Sequence, residues 1–234
     1  MGRQVRAISG EPLYTLGEAL EQKRLQIQEG VLSWATSNLP HYPWRQTGKT
    51  PYEVLIGEFW LKETSSVIAT RVYQGFLQHF LSIQSLAEAG EDDITDVLSS
   101  FGLRQYAPHI RTMVDSLLKE GRGYLPRDSE SFVRASRLEH HRVRIILCFG
   151  YGLPVSVIDA NVARMLSRLF GDSLPSQPAQ GLLQAVSENL LPYRNPQDYN
   201  RALLDVAEIV CSDEHPLCTR CPVKEVCDYT GSSP

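Results

Sequence analysis

The 234-residue sequence predicts an all-α fold, and three observations lead there. Apolar residues recur at helical spacing, no stretch sustains the apolar/polar alternation of a half-buried strand, and Gly and Pro punctuate the chain at intervals that suit short helices.

In order, the first dozen residues are mixed and broken by Gly and Pro. Leu16 to Leu39 then read as a helix, with Leu20, Lys23, Arg24 and Ile27 one turn apart, followed by a loop from Pro40 to Lys49. Thr50 to Leu153 read as a succession of short amphipathic helices broken at Gly102, Gly121, Gly123, Pro126, Gly150 and Gly152. After Pro154 a helix starts at Asp159/Ala160, with Val162, Met165, Leu166, Leu169 and Phe170 on one stripe. A last helix runs from Tyr199 to about Val210, and a cysteine-bearing loop follows. There is no internal repeat, heptad array or low-complexity tract.

Composition is that of a globular protein, 42% hydrophobic and 21% charged, in a chain long enough to bury a core unaided. No run of about 18 apolar residues and no apolar signal core appear, so we expect a cytoplasmic protein, nucleoid-associated in a prokaryote. A net charge of −4 argues against a non-specific coat on nucleic acid, while leaving room for local basic patches.

Four of the five cysteines fall in the last 24 residues, a distribution for metal rather than disulfides. Cys211, Cys218, Cys221 and Cys227 are spaced C-x6-C-x2-C-x5-C, which suits either a tetrahedral zinc site or an iron–sulfur cluster. Cys148 sits in an apolar run, Ile145 to Phe149, and reads as core. Two carboxylates also stand out. Asp159 lies where an apolar stretch becomes an amphipathic helix, as a helix N-cap does. Glu58 lies inside a largely apolar helix, i+3 from Leu55 and i−3 from Leu61, and faces either solvent or a pocket. Burial among apolar side chains would raise its pKa and keep it protonated.

These segments resemble the endonuclease III and MutY glycosylases. The cysteine spacing looks like the loop in which those proteins hold a [4Fe–4S] cluster. The run Val157 to Leu166 looks like their V-D-x-N-V-x-R-(V/L)-L segment, whose Asp is the catalytic anion. Thr50 to Thr64 is similar to the W-L-S-E-V-M-L-Q-Q-T helix of MutY and the E-I-L-L-R-R-T helix of mismatch thymine glycosylases, where the Glu acts on the base; endonuclease III has no such Glu. The similarity extends from about Leu39 to Asp228, through Pro43-Trp44-Arg45, Gly102-Leu103, Leu125-Pro126 and Asn200 to Asp205. Run by run it is greatest to the mismatch thymine glycosylases and the MutY catalytic domain.

The resemblance implies two helical subdomains with the DNA and base pocket between them: residues 50–153, barrel-like with a degenerate helix-hairpin-helix, and residues 13–49 with 154–234, carrying the cluster loop (211–227). It implies a DNA N-glycosylase of base excision repair, with Glu58 and Asp159 catalytic. Cleaving an N-glycosidic bond through an oxocarbenium-like sugar calls for an acid at the base and an anion at the sugar or water. A structural [4Fe–4S] cluster on Cys211, Cys218, Cys221 and Cys227 would present Arg220 and Lys224 to a DNA backbone. The partner is double-stranded DNA with a mispaired or damaged base, bound by a monomer. No lysine lies between Lys119 and Lys224, where the family's lyase lysine falls, so we expect base release without strand cleavage.

One segment departs from the pattern. In place of the L-P-G-V-G turn, whose backbone N–H groups meet a phosphate, this chain has Val133 to Arg144, with Glu139 at the lyase-lysine position. Arg134, Arg137, Arg142 and Arg144 either grip phosphates or form a solvated basic helix, and Glu139, His140 and His141 are candidates for the pocket. Lys62, and Leu103 with Arg104 and Gln105, stand where relatives place residues that fill the hole left by an extruded base. Thymine or uracil opposite guanine is the expected substrate, in part because the chain ends soon after Cys227 where MutY proteins continue into a further domain. Adenine opposite guanine or oxidised guanine, a silent DNA-binding iron–sulfur module and a zinc protein are the alternatives.

Overall fold

The computed structural model describes residues 11–38 and 41–229. Among them there are helices and turns and no strand, so the all-α expectation holds. No helix among the described residues is long and apolar enough to cross a membrane. The chain divides into two compact units, residues 1–41 with 154–234, and residues 42–153.

The first helix, α1 (Glu11–Ser37), belongs to the unit that also contains the C-terminal part. It begins earlier than the apolar spacing suggested; Leu39 and Pro40, the expected helix end and loop start, lie outside the described residues. Within residues 42–153, a short turn Pro43–Arg45 leads to α2 (Pro51–Glu63), α3 (Ser66–His79), α4 (Ile83–Glu88), α5 (Glu91–Ser99), α6 (Ala107–Glu120), α7 (Ser129–Ser136) and α8 (His140–Ile145). A wide π-type turn, Ile146–Gly150, closes the unit.

The entry of α2 is specified locally. The Thr50 hydroxyl accepts from the Glu53 N–H, the Glu53 carboxylate accepts from the Thr50 N–H, and Pro51 fills the first turn. From Val54 to Trp60 every residue of α2 is buried, as expected of a helix enclosed on all sides. It packs against α3 and the Ile146–Gly150 turn. This enclosure is what takes Glu58 out of solvent.

The remaining helices are α9 (Ala160–Leu169), α10 (Gln180–Leu190) and α11 (Pro196–Asp205), the last continued by a π-type turn Val206–Val210. The stripe Val162, Met165, Leu166, Leu169 and Phe170 is buried as read. The last helix starts at Pro196 rather than Tyr199, because Asn195 turns the chain in a left-handed conformation (φ 57°) and proline is suited to the first helical turn. Helix α1 packs on α10 and α11, and α9 packs on α10 and the Val206–Val210 turn.

Candidate active site and cysteine loop

Glu58 is fully buried, and the groups around its carboxylate are polar rather than the apolar ones expected. Its Oε1 accepts from Trp44 Nε1 (2.9 Å) and from Arg45 Nε (3.0 Å). Its Oε2 accepts from Arg142 Nη1 (3.2 Å), which also donates to the Glu58 carbonyl (3.2 Å). The side chain has two guanidinium partners, Arg45 and Arg142. Trp44 is stacked by Tyr42 (centroids 5.0 Å apart, planes at 16°), and Arg45 lies over the Tyr42 ring. A cavity of about 710 Å³ in the same unit, lined by Tyr52, Leu81, Tyr124, Leu125 and Arg127 among others, includes neither Glu58 nor Arg142.

Asp159 caps α9. Its Oδ1 accepts from the Val162 N–H at 2.8 Å, while Oδ2 has no hydrogen-bond partner among the described residues. The carboxylate is half-buried, with one oxygen holding the helix and one left for other chemistry. The strand-like approach to it is fastened by Asn200, which is buried in α11: Oδ1 accepts from Val157 N (3.2 Å) and Nδ2 donates to the Val155 carbonyl (2.9 Å).

From the same helix, Arg164 and Arg168 reach the cysteine loop. Arg164 donates to the carbonyls of Ala207 (3.0 Å) and Cys211 (2.9 Å), and its Nη1 to Asn161 Oδ1 (2.9 Å). Arg168 donates to the carbonyls of Ser212 (2.6 Å) and Asp213 (2.7 Å), lies 3.4 Å from Cys211 Sγ, and covers the Tyr229 ring. Cys211, Cys218, Cys221 and Cys227 line one small cavity with Arg168 and Tyr229. No three His, Cys, Asp or Glu side chains among the described residues converge closely enough to hold a single metal ion. Burial pushes the Cys221 thiol up to about 11 and raises that of Cys227. Four soft donors line one cavity beside the Arg168 guanidinium, a donor set of the kind that soft metals take. Cys148 is buried core, as expected.

No family model matches the chain. The thymine/uracil-DNA glycosylase of Methanothermobacter thermautotrophicus is 23% identical over 216 residues, 92% of this chain and 97% of that protein. The adenine DNA glycosylase of Buchnera aphidicola subsp. Baizongia pistaciae is 26% identical over 185 residues, 79% of this chain and 52% of the relative, so the chain spans about half of that relative's length. Among solved structures, a thermostable thymine-DNA glycosylase has a TM-score of 0.79 at 23% identity, covering 90% of this chain and 98% of that one. Endonuclease III trapped in a covalent intermediate with DNA has a TM-score of 0.68 at 16% identity, covering 89% and 95%. The chain shares the fold and the sequence pattern of the endonuclease III and MutY superfamily.

Between α7 and α8 the chain makes a short turn without glycine. Helix α7 ends at Ser136, Arg137 turns the chain at φ 57°, and Glu139 immediately precedes α8. Arg137 and His140 are exposed, and Glu139 is 48% exposed with its Oε2 accepting from Arg142 Nε at 3.0 Å. Arg142, read from the sequence as a phosphate contact, therefore turns inward to two carboxylates, and Arg134 pairs with Glu120. Lys62 pairs with Glu63 (2.9 Å). Leu103 follows Gly102 (φ 72°) at the start of a short turn on which Arg104 and Gln105 are exposed. Arg220 and Lys224 are exposed beside the cysteines. Sequence reasoning missed the loop-binding role of Arg168. A signal existed: it lies one helical turn beyond Arg164, the arginine of the superfamily's N-V-x-R run.

Proposed function

We propose that the protein is a monofunctional DNA glycosylase of base excision repair that hydrolyses the N-glycosidic bond of thymine or uracil mispaired with guanine in double-stranded DNA. The observation that carries this reading is Asp159, whose Oδ1 is committed to the α9 cap and whose Oδ2 has no hydrogen-bond partner among the described residues. A carboxylate oxygen held this way, on a chain with relatives named for thymine and uracil glycosylase activity, is suited to steadying an oxocarbenium-like sugar or taking the proton of the attacking water. Glu58 and its partners act at the base. The absence of a lysine from residue 120 to residue 223, and Glu139 in the lyase position, support hydrolysis without strand cleavage. Cys211, Cys218, Cys221 and Cys227 would hold a [4Fe–4S] cluster that ties the loop to α9 and takes no part in the chemistry, and Arg137, Arg220 and Lys224 would meet DNA phosphates. We propose that it works as a monomer.

Adenine opposite guanine or oxidised guanine is the second reading, favoured by the adenine glycosylases among the relatives. Single-turnover base release from labelled G:T, G:U, G:A and oxidised G:A duplexes, read before and after alkali, separates the two. We expect alkali-dependent cleavage of G:T and G:U, reduced by about 10²-fold or more in Asp159→Asn. Release of adenine alone moves the assignment to the second reading, and no release from any duplex removes the glycosylase assignment.

A further inference from the structure

The buried cluster around Glu58 assigns the direct contact with the base to another residue. Glu58 has no solvent exposure, and both of its carboxylate oxygens are taken by donors from Trp44, Arg45 and Arg142. Arg142 is 16% exposed and is the outermost charged member of the cluster. Two of its nitrogens are occupied, Nε by Glu139 and Nη1 by Glu58, whereas Nη2 makes no hydrogen bond among the described residues. Its position is held from both sides by carboxylates, and one edge of the guanidinium is left with free N–H donors.

We propose that Arg142, not Glu58, meets the base, and that it stabilises the departing pyrimidine as an anion while Glu58 serves as its buried counter-ion. The inference rests on the glycosylase reading and specifies how that site works. When the C1′–N1 bond of thymidine or deoxyuridine breaks, the electron pair goes to N1 and spreads onto O2 and O4. Water bonds to C1′ and releases its proton to solvent, from which the base anion later takes one. Such a leaving group needs donors and positive charge, both of which a guanidinium supplies, and no proton from a carboxylic acid. Adenine leaves well only when protonated on its ring, and a fixed guanidinium has no proton to transfer. The cluster thereby selects keto pyrimidines.

The test is single-turnover release of thymine, uracil, 5-bromouracil and 5-fluorouracil opposite guanine, whose N1 acidity rises towards the halogenated bases, by wild type, Arg142→Gln and Arg142→Lys. Wild type should depend weakly on leaving-group acidity. Arg142→Gln should lose about 10²-fold on thymine and uracil but much less on the halogenated bases, giving a steeper dependence, and Arg142→Lys should keep the shallow one. An equal loss on all four bases, a rate like wild type in Arg142→Gln, or a steep dependence in Arg142→Lys overturns the assignment of Arg142 alone. If wild type releases no base, the glycosylase reading and this inference fall together. Arg142→Lys retains the charge beside Glu58, so the inference stays open to refutation even where Arg142→Gln does not fold.

Discussion

A Cβ placed on Gly57 would lie 2.1 Å from Cγ of Trp44, closer than side chains approach one another. Trp44 is fully buried and supplies a donor to Glu58, so the indole has little room to yield. Gly57→Ala should therefore act at a distance from its own small volume, destabilising by about 1–3 kcal/mol through overpacking and weakening the donor set on Glu58. Urea unfolding gives the first number and single-turnover base release the second; a variant with wild-type stability and rate would show that Trp44 moves freely. The sequence offered Glu58 as a position, through its resemblance to a known helix, but not its surroundings. Its guanidinium partner Arg142 lies 84 residues away, and such a pairing leaves no trace in local periodicity, so the charged run containing Arg142 read as a surface for phosphates. Asp159 was easier to read, since an N-cap is specified by the residues beside it.

The turn between α7 and α8 is made without glycine. Arg137 adopts φ 57°, a conformation that costs an L-residue with a Cβ about 1–2 kcal/mol and costs glycine little. The turn survives because flanking apolar residues are buried, Phe132 and Ala135 before it and Leu138 and Val143 after it. Arg137→Gly should thus raise stability by about 0.5–1 kcal/mol, the relieved strain being partly offset by glycine's freedom in the unfolded chain. The same change removes an exposed cation. If Arg137 meets a phosphate, DNA affinity should fall while its salt dependence loses about one unit of slope. Greater stability with unchanged DNA binding would leave the arginine as a turn residue only. The all-α class was legible because helical spacing and Gly/Pro breaks are local signals; the turn between α7 and α8 was not, because what holds it is packing on either side.

At the scale of the whole molecule, the chain's last described segment is built into the unit that contains its first helix. Lys23 of α1 is paired with Asp228 and donates to the Leu169 carbonyl at the end of α9 (3.0 Å). Seven residues further along α1, Gly30 sits so close to the cysteine loop that an added Cβ would lie 2.4 Å from the Pro222 carbonyl oxygen. Pro222 lies between Cys221 and Cys227, and its neighbour Val223 is buried, so the loop is pressed onto α1 at its middle and bonded to α9 through Arg164 and Arg168. A backbone carbonyl cannot swing aside as a long side chain does. Gly30→Ala should therefore force the loop away from α1, even though alanine is the better helix former by about 1 kcal/mol at an unconstrained site. If the four cysteines hold a [4Fe–4S] cluster, the displaced loop should expose it to solvent. The variant should then lose its brown absorbance to an iron chelator severalfold faster than wild type, and amide hydrogen exchange should rise in α1 and α9 together. A gain in stability with unchanged cluster lifetime would mean that the loop adapts to α1 without strain, and that its attachment depends on the arginines of α9 alone.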